Sequence, residues 1–183
     1  MMSERARHAV AAPALLAAAL ALGVTLAGCT PPSTDGALVV PDDSDETCMP
    51  TAQYPSAAIG TILTNESGRE LRVTRVELRE ADNLVLGANS LMPSPGDLLL
   101  ADRYPPTDQF PEDWKNAVPI DEATIAGSER NLVLVTQVTP GDASREGRFA
   151  GIDIYYTDDR GKEYLEPTQH SLRMTPGSCN PDQ

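Results

Sequence analysis

Histidine, lysine and aromatic residues are the scarce side chains of this 183-residue chain, and each shortage removes a class of function. There are two histidines, His8 near the N-terminus and His170 by itself near the other end. A hydrolase most often takes its general base from histidine, and His170 has no nucleophile motif to serve. The patterns GxSxG, HExxH, GxGxxG and the phosphate-binding P-loop are absent, as are CxxC and paired metal-binding cysteines. With them go the usual grounds for a serine hydrolase, a zinc protease, a nucleotide enzyme or a zinc finger. Lysine occurs only as Lys115 and Lys162, and the formal net charge is -13. So acidic a chain repels phosphate backbones and anionic headgroups, which excludes nucleic acid as a partner and a purely electrostatic hold on a membrane.

What is present begins at the N-terminus. Arg5 and Arg7 precede an alanine-rich apolar run over residues 10–26, followed by the small residues Ala27 and Gly28. A spanning helix needs about 20 apolar residues, whereas this run is broken by Pro13 and Gly23 and ends in a cleavage pattern. It reads as an export signal. The four residues Leu26-Ala27-Gly28-Cys29 resemble the lipobox of bacterial lipoprotein precursors. That resemblance implies a signal peptide over residues 1–28, cleavage between Gly28 and Cys29, and a diacylglyceryl group on the Cys29 sulfur. It places the protein on the extracytoplasmic face of the cell membrane, with the membrane as its partner through the acyl chains on Cys29. Each buried methylene adds about 0.8 kcal/mol and one chain binds only marginally, so several chains are needed for a lasting hold.

With Cys29 lipidated, Cys48 and Cys179 remain. Exported chains in an oxidising space pair their cysteines, so a Cys48–Cys179 disulfide is expected to join the entry of the folded part to its exit. Residues 30–47 are rich in Pro, Ser, Thr, Asp and Gly, with one short apolar patch at residues 37–40. Such a segment buries too little apolar surface to offset its ordering, and residues 29–50 read as a flexible tether. At about 5 to 6 Å times the square root of residue number, residues 30–47 span roughly 20 to 25 Å. The acidic run at residues 42–46 lacks the glycine turn and distal glutamate of a calcium loop. It reads as solvated linker.

The domain, residues 51–183, reads as strands. Residues 57–65 are short and β-branched and end in the turn cluster Asn65-Glu66-Ser67-Gly68. Ser67 and Glu70 mimic a helical capping box, yet at helical spacing Leu71 and Leu78 oppose Val73 and Val76. A strand with one extra residue near Thr74 and Arg75 puts all four on one face. Arg69, Arg72, Arg75 and Arg79 interleave with Glu66, Glu70, Glu77 and Glu80, the pattern of a charged, solvated sheet face. Residues 84–92 continue the sheet. Residues 93–119 carry six prolines, too many for a long helix or a central strand. Trp114, Tyr104 and Phe110 lie in this excursion, and Trp114 is expected to pack it over an edge of the core. Residues 131–139 and 149–157 alternate as strands, and Asp158-Asp159-Arg160-Gly161 forms a hairpin turn with Gly161 at positive φ. Asp158 and Asp159 are therefore turn formers rather than an acid–base pair. His170, Leu172 and Met174 share a face of the last strand. His170 and Met174 have the donors of a copper(I) site but no further ligand, so no metal is expected.

Short strands, turn clusters between them and no convincing helix point to an all-β, antiparallel immunoglobulin-like β-sandwich. The order of the TNxSGRELxVTxVEL strand pair, the proline-rich excursion, Ile125-Ala126-Gly127-Ser128-Glu129 and a terminal strand leading to a cysteine resembles immunoglobulin-like domains of exported actinobacterial lipoproteins. The resemblance carries no active site. It implies a non-enzymatic binding or accessory module of the cell envelope with an envelope protein as partner and no cofactor. The alternative is an envelope carrier of a small ligand or metal ion.

Overall fold

The computed structural model describes residues 31–41, 44–93, 101–127 and 132–180. In chain order the strands are β1 (Leu38–Val39), β2 (Glu46–Pro50), β3 (Ala57–Asn65), β4 (Leu71–Arg79), β5 (Leu84–Pro93) and β6 (Ala101–Arg103). One helical turn, α1 (Pro111–Trp114), then precedes β7 (Val118–Pro119), β8 (Leu132–Pro140), β9 (Gly147–Phe149), β10 (Gly151–Asp158), β11 (Glu163–Pro167) and β12 (Ser171–Thr175).

One layer runs β1-β3-β8-β5-β7, with β6 also on β3. The other consists of β11-β10-β4 and β2-β12-β9. Only Ala150 separates β9 from β10, so these two short sheets share one kinked strand. Asp82, just past β4, bridges Arg148 of β9 and extends the same pairing. The chain crosses between layers after β1 and after β2, and then after β3, after β4 and after β8, the last three being the immunoglobulin-like order. Among the described strands pairing is antiparallel except for β2, which lies parallel to β12; the isolated Ser33–Tyr164 bridge is parallel too. The inner faces meet in a core that includes Ile59, Leu63, Leu71, Leu134, Ile152, Ile154, Tyr156, Leu172 and Met174.

The arginine-rich strand shows how local pattern meets register. Arg75 faces Tyr155, and the next residue of β10, Tyr156, faces Val73. Thr74 is the extra residue. The bulge returns Val76 to the core side with Leu71 and Val73, all three buried, as the apolar spacing requires. Its outer face is charged and paired: Arg75 lies 3.7 Å from the Tyr155 ring centroid and bonds Glu77. Arg79 meets Asp153 at 2.6 Å.

Central strand β8 is buried on both faces. Leu134 and Val138 point into the sandwich, while Val133 and Val135 join Ala58 and Met92 in a second cluster. The described part of the proline-rich excursion, residues 101–119, covers that cluster with Tyr104, Phe110, Trp114 and Ala117. Trp114 meets Tyr104 edge-on, 5.6 Å between centroids, so the excursion packs across the outer face of a sheet rather than over an edge.

The tether expected over residues 29–50 needs correction. Within the described part, β1 pairs with β3 and β2 with β12, and Leu38 is 2% exposed. The reason is that Leu38 and Val40 meet an apolar surface assembled by distant strands, so a short patch suffices. Backbone pairing to β12 and the Cys48 bridge order the second half. The acidic run falls partly on residues 42–43, outside the described residues.

Candidate functional site

The best-organised surface feature is a cleft at one pole of the sandwich, about 220 Å³ and lined by Asp35, Gly36, Arg69, Tyr156, Asp158 and Tyr164 among others. Its floor is Tyr156, inward-facing on β10 and fully buried, stacked on Tyr164 with centroids 5.3 Å apart. Burial pushes the pKa of the Tyr156 hydroxyl above the ordinary tyrosine value. That oxygen accepts the Leu38 backbone N–H at 3.2 Å.

One wall is the segment from Ser33 to Leu38. The Ser33 carbonyl accepts the Leu165 N–H at 2.9 Å, and the Ala37 carbonyl accepts the Glu66 N–H at 3.0 Å. Gly36 is required by space, because a Cβ there would stand 1.7 Å from the Tyr156 hydroxyl oxygen. The facing wall is the β3–β4 turn. Asn65 donates its amide to the carbonyls of Arg69, Ile125 and Ala126 and accepts from the Ser67 N–H at 2.9 Å. This ties the turn to residues 125–127, where a Cβ on Gly127 would meet Gly68 backbone at 2.3 Å.

The rim is the β10–β11 hairpin turn. Gly161 takes φ +76° there, and Asp158 accepts the N–H groups of Arg160 and Lys162 at 2.9 and 3.0 Å. Asp158 is thus a turn former. The Lys162 backbone donor is the main cause of its lowered pKa, with the Arg160 backbone and Tyr164 hydroxyl assisting. A group whose folded-state pKa is depressed contributes stability that is whole above its unfolded value, near 3.8. That contribution is lost as the pH falls through the lower folded-state value. Asp158→Asn is therefore expected to flatten part of the decline in melting temperature below about pH 4, as read by calorimetry from pH 6 to pH 2.

The other sequence candidates are dispersed. Cys48 and Cys179 form a disulfide with Cα atoms 5.7 Å apart. Arg69 pairs with Asp159 at 3.7 Å. His170 precedes β12 and is 8% exposed, more deeply buried than a sheet-face histidine, while Met174 is fully buried in the core. Among the described residues, no group of three or more His, Cys, Asp and Glu is arranged to hold a metal ion, and no helix is long and apolar enough to cross a membrane. Cys29 and the lipobox lie outside the described residues. What sequence reasoning missed is the wall from Ser33 to Leu38; its one local signal is the apolar patch after Gly36.

No family model matches the chain, and no curated protein matches it significantly. Among solved structures, the VesB protease of Vibrio cholerae aligns at 9% identity and TM-score 0.38, over 76% of this chain and 32% of that one. The chain thus spans about a third of the protease. The ASH/PapD-like domain of human CEP192 aligns at 11% identity and TM-score 0.37, over 92% and 100% of the two chains. The N-terminal domain of PorA aligns at 12% identity and TM-score 0.34, over 77% and 99%. The sandwich itself rests on the strand order and register described above, and no residue role is carried over from these proteins.

Proposed function

We propose that the protein is a lipid-anchored, extracytoplasmic β-sandwich, a non-enzymatic binding or accessory module of the cell envelope. The observation that carries the reading is the cysteine count. Of three cysteines, two are bridged to each other, and the odd one is Cys29, directly after Leu26-Ala27-Gly28. The bridge fits an oxidising compartment, and the unpaired sulfur sits where a lipoprotein precursor is modified. Acyl chains then supply the membrane hold that an acidic surface cannot.

The test uses the full precursor expressed in a bacterial host with a lipoprotein-processing pathway. Mass spectrometry of the mature N-terminal peptide is expected to show Cys29 carrying a diacylglyceryl group. Cys29→Ser is expected to move the protein from the membrane fraction to the medium, or to leave uncleaved precursor. A mature wild-type protein with a bare Cys29 thiol would end the proposal. For the module role, crosslinking in intact cells followed by affinity purification is expected to recover one envelope protein reproducibly, and to lose it with the Cys29→Ser chain.

A further inference from the structure

The segment from Ser33 to Leu38 sets how far an acylated Cys29 stands from the fold, and the orientation inferred from it rests on the lipid-anchor reading. Ser33 is held from both sides: its N–H reaches the Glu163 carbonyl at 3.4 Å and its carbonyl accepts from Leu165 at 2.9 Å. From there to β1 the chain is fastened by Ala37 to Glu66, by Leu38 to Tyr156 and by the pairing of Leu38 with Asn65. Four residue steps join Cys29 to Ser33. Fully extended, they span at most about 14 Å. The leash is therefore short, and it leaves the fold at one pole.

The same pole gathers the end of β3 and the start of β4, joined through Asn65, Ser67 and Arg69, and the β10–β11 turn. Register places Asp158 opposite Leu71 here, and Gly151 opposite Arg79 at the other end. Nine residues of β4 put about 30 Å between the two poles. This pole holds Arg69, Arg160 and Lys162 among the carboxylates of Asp35, Glu66, Glu70, Asp158, Asp159 and Glu163. Asp35 is matched by Lys162 at 3.9 Å and Asp159 by Arg69 at 3.7 Å, but the pole is acidic on balance, so the short leash and not surface charge would hold it at the headgroups.

We propose that this pole is the membrane-facing surface of the protein. The sandwich stands against the headgroups on Ser33, the Glu66–Arg69 turn and the Asp159–Lys162 turn, in a fixed orientation rather than swinging on a long tether. The opposite pole is turned away from the bilayer. It carries the β8–β9 turn and a cleft of about 370 Å³ lined by Glu46, Glu80, Asp82 and Arg148 among others.

The experiment uses the full acylated protein in phosphatidylcholine vesicles containing a small fraction of headgroup-attached quencher lipid. A fluorophore is placed through Arg160→Cys at the proposed near pole or through Ala143→Cys at the far pole, both exposed positions. The Arg160→Cys probe is expected to be quenched severalfold more than the Ala143→Cys probe. Inserting a Gly/Ser spacer of about ten residues after Thr30 should remove most of the difference, since a flexible linker of that length lets the fold turn over. Equal quenching at both sites, or a difference that survives the spacer, overturns the proposal. Intact mass measured on the same preparation separates the two readings: missing acyl mass refutes the lipid anchor and the orientation with it, whereas full acyl mass with equal quenching refutes the orientation alone.

Discussion

Replacing Cys48 and Cys179 together by alanine is expected to lower the melting temperature by about 10 °C, or to prevent folding at 37 °C. The bridge joins residues 131 apart in sequence, so its removal frees almost the whole sandwich from its longest loop constraint. The chain-entropy model gives about 5 kcal/mol for so long a loop, and removing native disulfides from small secreted domains costs about 2 to 5 kcal/mol. For a domain of this size each kcal/mol moves the midpoint by about 2 to 4 °C. The bridge also has a local role. Cys48 lies in β2, which is held to the fold by parallel pairing with β12, a slightly weaker arrangement than antiparallel pairing. Hydrogen exchange in the double variant should therefore rise first at residues 46–50 and 171–175. Scanning calorimetry of the oxidised, reduced and doubly substituted forms checks the magnitude; a shift of less than about 2 °C would show that the bridge constrains little.

Tyr156→Ala is expected to destabilise the fold by about 3 to 5 kcal/mol, the range for emptying a large aromatic site in a core. Tyr156 is fully buried, stacks on Tyr164 and fills the space that Gly36 leaves open. Tyr156→Phe separates the ring from its hydroxyl. It removes the acceptor for the Leu38 N–H at a cost of about 1 to 3 kcal/mol, the range for a buried donor left without a partner. Chemical denaturation of the two variants measures both figures. Exchange protection at Leu38 should fall in Tyr156→Phe while the core strands keep theirs. If the phenylalanine variant retained protection at Leu38, the hydroxyl would not be what fastens the N-terminal segment.

Much of the fold is written in local pattern. Alternation along residues 132–138 and 152–156, the spacing that demanded a bulge at Thr74, and the glycine that turns the hairpin at Gly161 are all properties of neighbouring residues. So is the failure of residues 69–80 to make a helical face. The pairing of Cys48 with Cys179 followed from counting, once Cys29 was assigned to the lipobox. The pole cleft was only partly legible: Asp158 and Gly161 are recognisable turn residues, but nothing near Ser33 or Gly36 names their partners. Those partners, Tyr156, Leu165 and Glu163, lie more than a hundred residues away.

By itself the sequence determined the all-β class, the strand faces and the turns, because each depends on side-chain spacing over a few residues. Only the tertiary structure decided that residues 33–40 and 46–50 are part of the sandwich and that the excursion roofs one sheet. A segment poor in apolar residues is ordered when other strands have already built the surface and the hydrogen-bonding edges that receive it. Leu38 against Tyr156, and β2 against β12, are stabilised by groups brought together only by folding.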